Sequence, residues 1–162
     1  MKNDTSTLLY YKVIIDNEPR ALYVTSNGKI ELASAAITKT PTTAQKAKRD
    51  WNQIPYVDEK GNGVTGVFYL NSAFKPTSYF SLSGTTPVLS DKMDTPLYFD
   101  VLSVDSCLIE SYDKSTKSGT GSCLSAIKNG NDDILEMEAM ITDPKKGVKK
   151  QTWIFVQELV ED

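Results

Sequence analysis

Short apolar stretches alternate with polar, turn-forming residues along the whole chain, and they recur in groups of four. Each group ends on an aromatic stretch: Asp50–Ile54, Leu97–Val101 and Thr152–Val156. Three apolar stretches precede each ending in the same order. They are 11–15, 21–24 and 29–32 in the first group, 67–70, 78–82 and 87–89 in the second, and 107–110, 122–126 and 134–137 in the third. Repetition with a period of about fifty residues is typical of a closed, repetitive architecture.

The spacing predicts an all-β fold of twelve strands in three repeats. Turn residues such as Ser26-Asn27-Gly28 and Lys117-Ser118-Gly119 lie where strands should reverse. The threefold repetition favours a β-trefoil, in which six strands close a short barrel and six more cap it as hairpins. A lipocalin-type barrel is the alternative, but it would need longer strands without a threefold rhythm. The segment 42–49 departs from the pattern. Its Ala, Gln, Lys and Arg residues favour helix and its threonines can cap one, so a short helical turn is predicted there.

Length and charge limit the architecture and the partners. A chain of 162 residues is expected to form a single β-trefoil domain spanning 1–162, since about 100–200 residues usually build one core. With 18 basic against 21 acidic residues, the chain has no positive field for phosphate backbones, so no nucleic-acid partner is expected. The apolar runs are far shorter than the about 20 residues that a membrane-spanning helix needs. No export signal is visible in the first fifteen residues either. We therefore expect no membrane insertion.

The absence of histidine excludes several kinds of chemistry. Ser-His-Asp and Cys-His catalysis need an imidazole that takes and returns a proton near neutral pH, and most zinc and redox-metal sites use at least one. We therefore predict no enzymatic activity, no catalytic residues, no metal site and no cofactor.

Two cysteines, Cys107 and Cys123, flank the polar turn 113–119. A hairpin centred near residue 115 or 116 would place them nearly opposite each other on adjacent strands, close enough for a disulfide. The other interpretation is a pair of buried thiols at core-facing positions, which is favoured because a closed barrel does not need a covalent cross-link.

Two charged segments are the strongest candidates for a binding surface. One is the basic cluster Lys46, Lys48 and Arg49, and the other is the first hairpin, with candidate contact residues Asp16, Asn17, Glu18, Arg20, Lys29 and Glu31. An ordinary solvated loop is the alternative for the basic cluster. A positive patch would instead steer an acidic protein partner and fix its orientation. The aromatic residues at the repeat endings, Trp51, Phe99 and Trp153, are predicted to be core.

Packing motifs in the second half of the chain resemble a known family. The stretch Pro96–Val101, the strand Leu108–Tyr112, the segment Cys123–Ala126 and Ile134 together resemble the signature of the interleukin-1 cytokine family. The closing strand Trp153–Gln157 is similar to that of the interleukin-18 branch. Ile109 stands where phenylalanine is usual in the family, and the hairpin after Ser111 is longer.

The resemblance implies a β-trefoil signalling ligand without catalysis. Such a ligand would be released from the cytosol without a signal peptide after propeptide removal, would act outside the cell as a monomer when free, and would bridge two immunoglobulin-domain receptor chains. The first hairpin and the basic cluster are the expected receptor contacts, as inferences from surface charge rather than motif positions.

Two further functions are compatible with a β-trefoil. A carbohydrate-binding lectin is suggested by Gln151-Thr152-Trp153, which is similar to the Gln-x-Trp repeat of ricin-type domains, although no recurring sugar-binding triad accompanies it. A protease inhibitor would insert one rigid loop, such as Asp58–Gly63 or Asn71–Thr77, into a protease cleft.

Overall fold

Antiparallel strands make up most of the protein, with one short helix. The structure, a computed structural model, describes residues 7–15, 18–34, 42–129, 132–141 and 149–157. Its elements are β1 (Thr7–Ile15), β2 (Glu18–Val24), β3 (Ile30–Ser34), α1 (Thr43–Arg49), β4 (Trp51–Val57), β5 (Gly63–Ser72), β6 (Tyr79–Ser83), β7 (Thr86–Ser90), β8 (Leu97–Val101), β9 (Ser106–Asp113), β10 (Ser118–Asn129), β11 (Asp132–Ala139), β12 (Lys149–Lys150) and β13 (Trp153–Gln157).

Six of these strands close into a barrel. Going round the barrel, β1 pairs with β4, β4 with β5, β5 with β8, β8 with β9, β9 with β13, and β13 with β1. Every pair is antiparallel. Because the last strand returns to the first, the barrel leaves no unpaired edge.

Three hairpins cap one end of this barrel. They are β2–β3, β6–β7 and β10–β11, and each lies between two barrel strands in chain order. Their first strands bury Leu22, Phe80 and Leu124 completely or almost so. The order of barrel strand, hairpin and barrel strand, repeated three times, is the β-trefoil that the sequence predicts.

The core contains one pair of matching tryptophans. Trp51 and Trp153 are the first residues of β4 and β13, and both are fully buried. The indole Nε1 of Trp51 donates to the Leu22 carbonyl at 3.2 Å, and that of Trp153 donates to the Leu124 carbonyl at 2.9 Å. These two residues therefore fasten the first and third hairpins to the barrel in the same way.

The second repeat differs from the predicted alignment at this position. The residue that begins β8 is Leu97, fully buried, whereas the aromatic Phe99 lies two residues further on and is also buried. Side chains two positions apart in a strand share a face. Phe99 is a core residue as predicted, but Leu97 stands at the position that Trp51 and Trp153 occupy in the other repeats.

Helix α1 is the helical turn predicted near residues 42–49. Thr42 caps it, because its hydroxyl accepts from the Gln45 backbone N–H at 3.1 Å while the Gln45 side chain accepts from the Thr42 backbone N–H at 2.8 Å. This reciprocal pair satisfies two donors that a helix start leaves without partners. The described part of the chain contains no helix long and apolar enough to cross a membrane.

A two-residue strand and a buried glutamine precede Trp153. Lys149 and Lys150 form β12, a strand beyond the twelve that the sequence predicts, and it pairs with β10; residues 142–148 lie outside the described ranges. Gln151 is buried at 6% exposure, with its side-chain oxygen accepting from the Ile141 N–H at 2.8 Å. Its amide nitrogen donates to the Ser125 hydroxyl and to the Ala139 carbonyl, both at 2.9 Å.

Candidate functional site

The first hairpin and helix α1 lie side by side and form one surface, which we call the hairpin–helix surface. It carries most of the predicted contact residues: Glu18 and Arg20 on β2, Lys29 just before β3, Glu31 on β3, and Lys46, Lys48 and Arg49 on α1. Asp16 and Asn17 lie outside the described residues. The structure therefore brings together two segments that the sequence places apart.

Lys48 joins the helix to the hairpin. Its ammonium group donates to the Ser26 hydroxyl at 2.9 Å, in the turn between β2 and β3. The same group lies 5.2 Å from the centre of the Phe74 ring and 6.0 Å from that of Tyr23. A cation over aromatic faces is attracted by their negative π-surface. Lys48 is therefore a structural link that fixes the helix against the hairpin.

Arg49 and Arg20 also hold neighbouring parts of the molecule. The Arg49 guanidinium lies 4.2 Å from the centre of the Tyr10 ring on β1. Arg20 pairs with Glu18 at 2.9 Å and with Asp133 of β11 at 3.4 Å, so it joins the first and third hairpins. Sequence reasoning missed Asp133 as a partner because the two residues are distant in the chain. Asp133 lies opposite Lys128 in the strand pairing of β10 with β11, and nothing in its sequence neighbours indicates a contact with Arg20.

Four charged side chains of this surface remain exposed. They are Glu18, Lys29 and Glu31 on the hairpin and Lys46 on the helix, so charges of both signs are present. An exposed mixed pattern of charge restricts the orientation in which a complementary protein can approach. Lys29, Glu31 and Lys46 are therefore better placed for direct contact than Lys48 and Arg49, and Glu18 stays 67% exposed although it pairs with Arg20.

The two cysteines are free, buried thiols, so the interpretation as a disulfide is not supported. Their strands are adjacent, but the register separates them: Cys123 lies opposite Glu110, whereas Cys107 lies opposite Trp153 on one side and Val101 on the other. The irregularity between Gly119 and Cys123 shifts β10 against β9, and this shift was not visible in the sequence. Burial raises the pKa of each thiol to about 12.

We expect both thiols to be unreactive in the folded protein. At pH 8 a pKa of about 12 leaves about one thiolate in ten thousand, and only the thiolate attacks a disulfide reagent. 5,5′-Dithiobis(2-nitrobenzoic acid) should therefore label neither cysteine in buffer and both in guanidinium chloride. Rapid labelling of one thiol in buffer would contradict the buried position of that cysteine.

The same burial makes the protein less stable in alkaline solution. Above the ordinary thiol pKa of 9.0 the unfolded chain releases these protons, while the folded chain keeps them up to pH of about 12. The free energy of unfolding should therefore fall as pH rises through this window. Denaturant titrations of a Cys107→Ala/Cys123→Ala variant, compared at pH 8 and pH 10.5, should show a smaller fall; an equal fall would assign the effect to other groups, such as buried Tyr11.

Tyr112 belongs to a cluster of tyrosines and lines two clefts that sequence reasoning missed. The ring of Tyr56 lies 5.8 Å from that of Tyr69 and 5.5 Å from that of Tyr112. One side of Tyr112 borders a cleft of about 370 Å³ that Tyr98 and Glu110 also line. Its other side borders a cleft of about 450 Å³. The residues that line each cleft come from segments far apart in the chain, so no local sequence motif predicts either cleft.

Glycine shapes the wall of the first cleft. A Cβ atom on Gly119 would lie 2.8 Å from Glu110 Oε1 and 3.2 Å from the Tyr98 ring. Glu110 is itself buried at 5% exposure, and its Oε1 accepts from the Gly121 N–H at 3.0 Å. The carboxylate is thus held in place beside two tyrosine rings.

Metal-binding chemistry has no visible basis in the described ranges. Among those residues no group of three or more Asp, Glu or Cys side chains is arranged to hold a metal ion.

Comparison with known proteins supports the architecture. No protein-family model matches the chain, and no curated protein matches it. The crystal structure of the Haemophilus ducreyi cytolethal distending toxin is similar in fold, with a TM-score of 0.58 and 12% sequence identity over 94% of this chain and 85% of the toxin chain. At that identity the similarity carries the all-β, β-trefoil fold and nothing about activity.

Proposed function

We propose that this protein is a non-catalytic signalling ligand whose hairpin–helix surface binds immunoglobulin-domain receptor chains of the interleukin-1 receptor type. The observation that carries the proposal is the link made by Lys48, which holds helix α1 against the turn of the first hairpin. One preformed surface with exposed charges of both signs results. A surface that is already ordered loses little conformational entropy on binding.

The charge pattern suits recognition of a protein better than that of a polyanion. Lys29 and Lys46 are accompanied by Glu18 and Glu31, all exposed, so the surface presents no uniform positive field. Charges of both signs favour one docking orientation and repel partners whose charges do not match. The resemblance to the interleukin-1 family supplies the class of partner, and with it an extracellular site of action and a monomeric free state.

Charge reversal at Lys46 should slow association with the receptor. Lys46→Glu is expected to lower the association rate constant about threefold to tenfold at low salt, because an exposed charge at an interface acts mainly through electrostatic steering. The thermal midpoint should change little, since Lys46 is exposed. Surface binding to a panel of interleukin-1-type receptor ectodomains, at low and at high salt, measures the association rate constant. A thermal melt measures the midpoint.

Lys60→Glu is the matched control. Lys60 is also exposed but lies in the turn after β4, so its reversal changes net charge equally without touching the hairpin–helix surface. If both variants slowed association equally, net charge alone would explain the effect. The hairpin–helix surface would then not be the binding site. Failure of the unmodified protein to bind any ectodomain in the panel would overturn the proposed partner class.

Carbohydrate binding is a second candidate, and the clefts beside Tyr112 favour it. Sugars pack their apolar faces on aromatic rings and donate hydroxyl hydrogen bonds to carboxylates, and here Tyr98 and Tyr112 flank the fixed Glu110. Asp94 and Asp113 border the cleft on the other side of Tyr112. A glycan array run beside the receptor panel separates the two functions, because glycan binding without receptor capture would select this one. A protease panel covers the inhibitor interpretation.

A further inference from the structure

All six barrel strands meet around an opening at one end of the barrel, which we call the barrel mouth. The opening encloses about 400 Å³, within the range of pockets that hold small molecules. Each strand contributes to the lining: Leu9 of β1, Gln53 of β4, Phe68 of β5, Phe99 of β8, Cys107 of β9 and Phe155 of β13.

The barrel mouth lies at the end opposite to the hairpins. Leu9 stands near the start of β1, whereas the hairpin β2–β3 follows the end of β1. Likewise Trp153 at the start of β13 contacts the third hairpin, and Gln157 at its end lines the mouth. A ligand at the mouth would therefore leave the hairpin–helix surface exposed.

The interior of the mouth is apolar, and its rim carries apolar side chains that are exposed to solvent. Leu9, Phe99 and Cys107 are buried at its floor, at 6%, 6% and 1% exposure. Val101 and Val104 stand at the rim with 64% and 93% of their surface exposed. Exposed apolar patches beside a cavity are commonly binding sites.

Hydrogen bonds hold the loop that presents this rim. The Leu102 N–H donates to the Ser106 carbonyl at 2.9 Å, and the hydroxyls of Ser103 and Ser106 lie 2.6 Å apart. The Phe155 N–H donates to the Asp105 carbonyl at 2.9 Å, which ties the loop to β13. The exposure of Val104 is thus built into the turn rather than left to an unstructured segment.

Charge narrows the class of ligand. Among the described residues that line the mouth, Asp105 is the one acidic side chain and none is basic. The Cys107 thiol is protonated at neutral pH because burial raises its pKa to about 12. The amides of Gln53 and Gln157 supply the remaining polar groups. Asp105 would repel an anionic ligand, whereas a neutral molecule could direct one polar group to an amide without that cost.

From the volume, the apolar floor and the single acidic group, we propose that the barrel mouth binds a small, neutral and mainly apolar molecule, such as a fused-ring compound with one polar atom. Its rings would pack on Phe68, Phe99 and Phe155, and Val101 and Val104 would cover it. This site is independent of the proposed receptor surface.

The neutral dye N-phenyl-1-naphthylamine is a suitable probe because it has this chemistry. Its fluorescence should rise on addition of the folded protein and saturate at one dye per chain. Val101→Glu and Val104→Glu should each weaken binding about tenfold, because apolar contact is lost and the new carboxylate must stay hydrated beside the dye. The anionic dye 8-anilinonaphthalene-1-sulfonate should bind more weakly than the neutral dye.

Val57→Glu is the matched control, since Val57 is 52% exposed and lies outside the mouth. It should bind the neutral dye like the unmodified protein, and circular dichroism should show all three variants folded. Equal loss in the control, unchanged binding in both rim variants, or fluorescence that rises only as the protein unfolds would each overturn the site. The site would also be overturned if the unmodified protein bound no dye and formed a dimer that Val104→Glu dissociates. In that case a second copy of the chain would cover the rim.

Discussion

Replacing Trp153 with alanine is expected to remove much of the free energy of unfolding. The side chain is fully buried and its indole N–H donates to the Leu124 carbonyl at 2.9 Å. Truncation of a buried tryptophan to alanine usually costs about 3–5 kcal/mol, because the transfer free energy is lost and a cavity remains. Domains of this size are stable by only about 5–15 kcal/mol. The thermal midpoint should fall by about 10 °C or more.

Two variants separate the causes of this loss. Trp153→Phe keeps most of the apolar ring but leaves the Leu124 carbonyl without its donor, so about 1–3 kcal/mol should be lost. Val104→Ala changes a side chain that is 93% exposed and should stay within about 0.5 kcal/mol of the unmodified protein. Calorimetry and guanidinium titration measure all three. A Trp153→Ala variant no less stable than Val104→Ala would refute the role assigned to this residue.

The same experiment at Trp51 tests the repeat. Trp51 donates to Leu22 in the first repeat as Trp153 donates to Leu124 in the third. If Trp51→Ala lowers the free energy of unfolding by a similar amount, the two tryptophans stabilise their repeats in the same way. The second repeat has Leu97 at this position, and leucine has no side-chain donor, so it makes no hydrogen bond like those of the two tryptophans.

The repeating pattern predicted the fold because strand pairing in a trefoil is set by apolar periodicity within each repeat. Turns such as Ser26-Asn27-Gly28 and the capped segment 42–49 carry local chemistry that specifies their conformation. Strand ends were less predictable: β5 and β10 extend several residues beyond their apolar stretches. Backbone pairing continues wherever a neighbouring strand is available, whatever the polarity of the side chains.

The candidate sites depend on contacts between distant segments, which local patterns do not reveal. The sequence pointed to Lys46, Lys48 and Arg49 as one basic cluster, yet Lys48 and Arg49 pack on the rings of Phe74 and Tyr10. A side chain's neighbours across the fold decide whether a charge is available to a partner. The barrel mouth, assembled from six strands, has no local motif at all.

A β-trefoil barrel supports unrelated functions, so the functional proposals stand on particular side chains rather than on the architecture. The hairpin–helix surface, the clefts beside Tyr112 and the barrel mouth lie in different parts of the described structure. Their tests are therefore separable: Lys46→Glu leaves the mouth intact, and Val104→Glu leaves the hairpin–helix surface intact. A single variant that abolished every kind of binding would indicate loss of folding instead.

Gln151→Leu is expected to destabilise the protein by about 3–4 kcal/mol, nearly as much as loss of the tryptophan. Leucine has similar volume, so little cavity forms. The buried Gln151 amide makes three hydrogen bonds, to the Ile141 N–H, the Ser125 hydroxyl and the Ala139 carbonyl. Leucine makes none of them. The bond to Ser125 is buried and the other two are partly buried, and a buried polar group left without a partner costs about 1–3 kcal/mol. Part of this cost is recovered because Ser125 still donates to the Cys123 carbonyl at 2.9 Å.

Hydrogen exchange gives this prediction a local signature. The Ile141 N–H donates to the Gln151 side chain, so its amide should exchange much faster in Gln151→Leu, under conditions where the amides of β1 stay protected. Gln157→Leu is the control, because Gln157 is exposed on β13 and should change stability by no more than about 0.5 kcal/mol. Unchanged exchange at Ile141 together with unchanged stability would show that Gln151 does not fasten the end of β11. Faster exchange confined to Ile141 and its neighbours would instead identify Gln151 as the polar tie between the third hairpin and the closing barrel strand.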